Sequence, residues 1–291
     1  MGVQTLFLLD THALFYRFFH ALPPLTTPPP ERAPIGAIYG LAVILVNIIE
    51  ELKPTHLAAA LDRPEPTFRD KLSPDYKAHR PAPPDELISQ LKMLPAFLAR
   101  AGVPAFSAPG YEADDVLGVL AEQLKKEQDL SIEIFSGDAD LLQLVDDERV
   151  LVRLLKKGIS DTVRYDAKAV QEQYGFPPLR IPDYKALVGD TSDNIKGVPG
   201  VGPKTAKELI AEFGTLEEVY ESLGIVPKKT AERLAEAKEQ AFLSRRLATI
   251  VRDVPLPPAS LKDLVLSQDR SALAAYFREL GFASLVRRLA A

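Results

Sequence analysis

Apolar runs of strand length alternate with stretches of helical period along the first half of the chain. "VQTLFLLD" (3–10), "THLAAALD" (55–62) and "LSIEIFSGD" (130–138) each read as a buried strand, and each ends in an aspartate: Asp10, Asp62 and Asp138. "RVLVRLL" (149–155) predicts a fourth strand. "THALFYRFFHALPPL" keeps helical spacing until Pro23–Pro24, and residues 35–53 predict a largely buried helix. A further helix is expected from Asp85, with Pro95 as a kink or break, and another opens at "GYEADDVLGVLAEQLKKE". Residues 63–84 carry six prolines and mixed charges, which predicts an exposed, partly mobile segment. Beyond about residue 181 the strand signals give way to helices with polar turns. The pattern predicts an α/β half, 1–181, followed by a helical half, 182–291.

The acids give this pattern chemical content. In open, mostly parallel sheets, ligands bind outside the carboxyl ends of the strands, and parallel neighbours would bring Asp10, Asp62 and Asp138 to one edge. Asp140 follows in "SGDAD"; Glu112 and Asp115 are three apart, with Asp114 between them, and Asp190 and Asp193 repeat that spacing in "GDTSDN". Acids at a helix start have a plain explanation, since each gains about 0.3–1 kcal/mol from the helix dipole. That gain is too small for the set. Two charges ~4 Å apart repel by roughly 4 kcal/mol at an effective dielectric near 20, so nine carboxylates in one cleft require protons or cations. Oxygen donors without Cys or paired His suit Mg²⁺ or Mn²⁺ and disfavour zinc. Two such ions in an acidic pocket point to phosphodiester hydrolysis.

Composition narrows the setting. The 291 residues are 46% hydrophobic, enough for a substantial core, and no apolar run approaches the ~20 residues of a membrane span. The absence of cysteine excludes disulfides, thiolate metal sites and a cysteine nucleophile. "MGVQTLFLLD" lacks the basic start of a signal peptide, so a cytoplasmic location is expected, with no membrane partner. A net charge of −5 argues mildly against nucleic acid, unless bound cations offset the acids.

Three further stretches fit phosphate chemistry. In "GVPGVGPKTAKEL" (197–209), Gly197, Gly200 and Gly202 allow a tight loop whose amides face an anion, and a helix start follows at Pro203. Lys204 and Lys207 add charge there and Thr205 a hydroxyl, a combination that grips backbone without reading bases. In "DYKAHRP", Tyr76 offers a stacking face, and Lys77 and Arg80, three apart, would share a helix face and stabilise charge on a scissile phosphate. Tyr16, in the aromatic "FYRFFHA", is a candidate to face a base. His79 is expected to be exposed, and His12, His20 and His56 to be structural.

Taken together, "LLDTHALFYRFFHAL", "PTFRDKLSPDYKAHRPAPPDEL", "GYEADDVLG", "SGDADLLQLV" and "VGDTSDNIKGVPGVGPKTA" closely resemble the 5′ nuclease domain of bacterial DNA polymerase I, among the flap endonucleases. The resemblance spans nearly the whole chain. It implies a PIN-like α/β core with a mostly parallel sheet, a helical arch at about 63–101, and a helical C-terminal part containing a helix–three-turn–helix motif. It implies structure-selective 5′→3′ exonuclease and 5′-flap endonuclease activity with Mg²⁺ in replication and repair, on flaps, nicks and single-strand/duplex junctions, RNA/DNA primers included. Family metal positions match Asp10, Asp62, Glu112, Asp114, Asp115, Asp138, Asp140, Asp190 and Asp193. Lys77 and Arg80 match the arch's basic residues, with Tyr76 beside them, and the 197–207 loop matches an element that holds K⁺ in relatives. A bacterial, nucleoid-associated monomer, linked or not to a polymerase, is the expected context. Two departures stand out: Ala139 where relatives carry Lys or Arg, and Lys196 in "DNIKG" where "DNIPG" is commoner. A DNA-binding module without catalysis is the alternative, but such a protein should lack several of the nine acids. A PIN-like ribonuclease would not need the 197–207 loop.

Overall fold

A computed structural model describes residues 4–146, 149–157, 161–266 and 269–290. Six strands form one sheet: β1 (Gln4–Asp10), β2 (His56–Ala60), β3 (Ala105–Phe106), β4 (Leu130–Ser136), β5 (Val150–Lys157) and β6 (Asp161–Tyr165), in the order β3-β2-β1-β4-β5-β6. The first five are parallel, and β6 runs antiparallel to β5 at one edge. Val3, the first residue of the predicted first strand, lies outside the described residues.

The central strands are mostly apolar because both faces are covered. Their alternation sorts side chains to the two sides. Leu6 and Leu8 of β1, Ala58 and Ala60 of β2, and Ile132 and Ile134 of β4 join one buried cluster with the Ala113–Leu124 helix. Phe7, Leu9, Leu57, Ala59 and Phe135 join the other, with helices Thr11–Ala21, Gly36–Asn47 and Asp85–Arg100. The expected buried helix over 35–53 is α-helical to Asn47 and closes in a wider turn, Ile48–Leu52, capped by left-handed Lys53. Asp85–Arg100 runs as one helix through Pro95.

The helical half is not a detached unit. Val201, Ala206, Leu209 and Ile210 extend the first cluster beyond the sheet. The last helices, Arg270–Glu279 and Ala283–Leu289, return to the opposite face, where Phe277 stacks on Phe97 with ring centroids 6.4 Å apart. No helix among the described residues is long and apolar enough to cross a membrane.

Strands leave β1 in opposite directions: β2 and β3 to one side, β4 and β5 to the other. The carboxyl ends of β1 and β4 therefore flank the reversal of strand order, the place where open α/β sheets open a crevice. Asp10 is the last residue of β1, while Asp62 and Asp138 stand two residues past β2 and β4.

Candidate active site

Asp10 caps the Thr11–Ala21 helix, accepting the Ala13 amide at 3.2 Å, and its other oxygen accepts the Ser136 hydroxyl across the strand reversal. Asp62 accepts the Ala113 amide at 2.6 Å, which ties it to the start of the Ala113–Leu124 helix. Asp62 gives its own amide to His12 Nδ1 at 3.0 Å. Asp138 accepts the Asp140 amide at 2.8 Å. These three acids, with Glu112 and Asp114 from the helix start, line a single cavity of about 460 Å³. His12, Tyr16, His20, Lys77, Arg80 and the 81–84 segment complete its walls.

The charge balance inside is unfavourable. Burial pushes the Asp10 carboxyl up to about 7; the Ser136 bond opposes this, and Asp138 and Asp62 add to the rise. Burial also raises Asp114 well above the carboxylate range, helped by Asp10, Asp138 and Glu112 and only partly offset by Lys77. Burial lowers the His12 pKa in spite of Asp62 nearby. Among the described residues, no three His, Cys, Asp or Glu side chains form a group that could hold a metal ion. The acids ring the cavity rather than converge on one point. A set of oxygen donors short of positive charge still fits Mg²⁺ or Mn²⁺, because such ions keep several waters and need only one or two carboxylates each.

The remaining acids of the expected nine are not part of the cavity lining, and each is held by a cation. Asp140 and Asp190 share the ammonium of Lys185. Burial drives Asp140 up to about 7 with Asp138 adding to the rise and Lys185 opposing it; burial would also raise Asp190, but Lys185 and Ser192 hold it at about 2. Asp193 meets Arg80 at 2.5 Å, the Tyr76 hydroxyl at 3.2 Å and Lys77 at 3.7 Å.

Asp115 corrects the sequence expectation. It is fully buried, and Arg69 clasps both its oxygens at 2.7 and 2.8 Å. The amides of Val251 and Glu112 take its remaining acceptor sites. Glu112 and Asp115 cap one helix reciprocally, so their spacing serves the helix start for Asp115 and the cavity for Glu112. Tyr76 is a second correction. It is buried rather than open to stack on a base, and its hydroxyl bridges Glu112 (3.1 Å) and Asp193.

Lys77 and Arg80 do reach the cavity, but from a turn rather than a helix face. Lys77 has φ 52°, its amide bonds the Asp193 carbonyl, and its ammonium donates to Glu112 at 2.8 Å. The 63–84 segment is mostly exposed, as its composition predicts, with Thr67, Arg69 and Tyr76 buried as anchors. Arg69, Lys185, Ser136 and the cavity-facing His12 were missed in the sequence. Lys185 stands five residues before Asp190 and Ser136 two before Asp138, spacings that carry meaning only once the fold is known.

The 197–207 stretch forms the tight turn expected before the Pro203–Phe213 helix. A Cβ on Gly197 would lie 2.4 Å from the Val188 carbonyl carbon, so only glycine permits this backbone contact. Gly200 has φ 77°, and its carbonyl accepts Arg233 at 2.9 Å. No side chain caps the helix, which leaves its first-turn amides for an outside acceptor, beside exposed Gly202 and Lys204. Thr205 is half-buried in that turn. Lys207 is partly exposed, donates to the Gln173 carbonyl at 2.9 Å and sits over the Tyr174 ring. Of the two departures, Ala139 is exposed, and Lys196 pairs with Asp75 at 3.2 Å.

Residues 5–175 match the family described as 5′-3′ exonuclease, N-terminal resolvase-like domain, and residues 176–272 match 5′-3′ exonuclease, C-terminal SAM fold. DNA polymerase I of Bacillus caldotenax is 41% identical over 288 residues, covering 98% of this chain and 32% of that protein. DNA polymerase I of Pseudomonas aeruginosa is 41% identical over 290 residues, covering 97% and 31%. The chain thus spans about a third of the length of these relatives. Among solved structures, a zinc-bound T5 5′-exonuclease superposes with a TM-score of 0.67 at 22% identity, covering 98% of each chain. The catalytic core of Rad2 in complex with DNA substrate gives 0.64 at 16% identity, covering 98% of this chain and 92% of that one. The chain belongs to the 5′-3′ exonuclease family.

Proposed function

We propose that this chain is a structure-selective 5′→3′ exonuclease and 5′-flap endonuclease that hydrolyses DNA phosphodiesters with Mg²⁺ or Mn²⁺. The observation that carries the reading is the cavity at the β1/β4 strand reversal, where Asp10, Asp62, Glu112, Asp114 and Asp138 crowd together with too little positive charge. Divalent ions would draw their carboxylate ligands from Asp10, Asp62, Glu112, Asp114 and Asp138, one or two to an ion. Asp140 and Asp190, which share Lys185, would be ligands for a second ion if the ammonium gave way, and Asp193 if Arg80 did. When bound, such ions place positive charge on the scissile phosphate and make water a stronger nucleophile.

The protein's own groups do the rest. Lys77 and Arg80, held over the cavity by Glu112 and Asp193, add positive charge as it builds on the phosphate. Tyr16 lines the mouth with an exposed ring, placed to meet a base near the cut. The uncapped helix start with Gly200, Gly202, Lys204 and Thr205 grips duplex backbone, with K⁺ a candidate companion in the 197–207 loop. The core, 1–181, then supplies the chemistry and 182–291 the duplex grip, braced by the two final helices.

Lacking a base-reading element, such an enzyme selects flaps, nicks and junctions by shape, RNA/DNA primers included. Its fitting context is primer and flap removal in the bacterial cytoplasm and nucleoid, as a monomer or joined to a polymerase. The test is incubation with 5′-labelled flap DNA, with and without Mg²⁺. Cutting near the junction that requires Mg²⁺ supports the reading. Binding without any cutting favours a catalytically inactive module instead.

A further inference from the structure

His12 occupies the second position of the helix that Asp10 caps, and its ring lines the cavity. The Asp62 amide donates to its Nδ1 at 3.0 Å. A backbone N–H can only donate, so Nδ1 carries the lone pair and the ring proton sits on Nε2. Among the described residues no hydrogen bond engages Nε2, and the side chain keeps 17% of its surface open. The exposed edge is therefore a neutral N–H donor in a cavity whose charged lining is five carboxylates and two cations. The same tautomer removes His12 from the candidate metal ligands, because its one lone pair is spent on Asp62.

We propose that His12 Nε2–H binds a non-bridging oxygen of the substrate phosphate, making His12 a substrate-contacting residue. The inference rests on the nuclease reading above, since it needs a phosphodiester in this cavity. A neutral donor suits the place: it meets an anionic oxygen without drawing a proton from, or adding an ion pair to, Asp10 or Asp62. Its second nitrogen fixes the aim of the first, so the Asp62 amide sets where the donor points.

Two isosteres separate this role from a merely structural one. In His12→Asn, the side-chain oxygen takes the place of Nδ1 and still accepts the Asp62 amide, but nothing reaches the Nε2 position. In His12→Gln, the terminal amide N–H reaches the Nε2 position while the Nδ1 acceptor is gone. Each variant, with wild type and His12→Ala, is assayed for flap cleavage in Mg²⁺, for flap binding in Ca²⁺ and for thermal stability. The expected result is a loss in kcat/KM of about 10–100-fold for Asn and Ala, weaker flap binding for both, and a Gln variant close to wild type. The reverse order overturns the proposal, with Asn near wild type and Gln impaired and less stable: His12 then only braces the Asp62 loop. Equal behaviour of all variants overturns it as well. If wild type cuts nothing while Asn and Ala bind the flap more weakly than Gln, the nuclease reading fails and the phosphate contact stands.

Discussion

Arg69 and Asp115, 46 residues apart in sequence, form a fully buried two-pronged ion pair at 2.7 and 2.8 Å. The guanidinium also donates to the carbonyls of Leu247 (2.8 Å) and Thr249 (2.9 Å), and the carboxylate accepts the Val251 amide at 2.9 Å. One pair thus locks the Phe68–Leu72 helix, the start of the Ala113–Leu124 helix and the end of the Lys238–Ala248 helix together. Removing one partner strands a buried charge, at about 3–5 kcal/mol. Asp115→Asn and Arg69→Met should therefore lower the denaturation midpoint markedly. Affinity for Mn²⁺ in the surviving folded protein should stay near that of wild type. A stable Asp115→Asn protein that has lost Mn²⁺ would return Asp115 to the metal ligands.

Buried carboxylates in and beside the cavity make metal-free stability depend on pH. Burial holds Asp10 and Asp140 near 7 in the folded state, above their ordinary value of 3.8. The folded protein then binds more protons than the unfolded chain between about pH 4 and 7, so stability falls as pH rises through that window. At about 1.4 kcal/mol per pKa unit the two groups together amount to several kcal/mol. In EDTA the melting temperature should drop from pH 5 to pH 8, and Mn²⁺ should restore most of the loss at pH 8. A flat metal-free profile would mean that the cavity carboxylates are solvated.

Lys185 is the cation that Asp140 and Asp190 share. Lys185→Met removes it without shortening the side chain much. The variant should lose stability in EDTA at pH 8 and bind Mn²⁺ more tightly than wild type, because an ammonium no longer competes with the ion. Titration calorimetry reads both sites; unchanged Mn²⁺ affinity would show that Lys185 stands clear of any metal position.

Lys204 is solvent-exposed at the uncapped helix start, with only a loose 3.9 Å pairing to Glu208. Lys204→Ala should weaken flap binding and reduce the slope of log affinity against log salt by about 1. Turnover at saturating substrate should hold. An unchanged salt slope would remove Lys204 from the duplex contacts.

The strand ends were legible because β1, β2 and β4 are mostly apolar runs followed by Asp10, Asp62 and Asp138, and burial on both faces favours that composition. The two-residue β3 and the exposed, charged edge strand β6 left no such run. Side-chain partnership was not legible. Asp114 and Asp115 are adjacent acids at one helix start, yet the 100° step between them sends one to the cavity and the other to Arg69. Nothing in "PTFRDKL" marks Arg69 as buried, because its partners come from residues 115, 247 and 249. Tyr76 and Lys207 read as free for DNA because the groups that hold them, Glu112, Asp193 and the Gln173 carbonyl, are remote in sequence.

The central claim is that divalent ions complete the carboxylate cavity. Crystals soaked in Mn²⁺ and measured for anomalous scattering test it most directly. At least one strong peak bound by oxygens of Asp10, Asp62, Asp114 or Asp138 is expected, with Asp115 still on Arg69. Full Mn²⁺ soaks with no peak in the cavity, or peaks bound only by acids elsewhere on the protein, would contradict it.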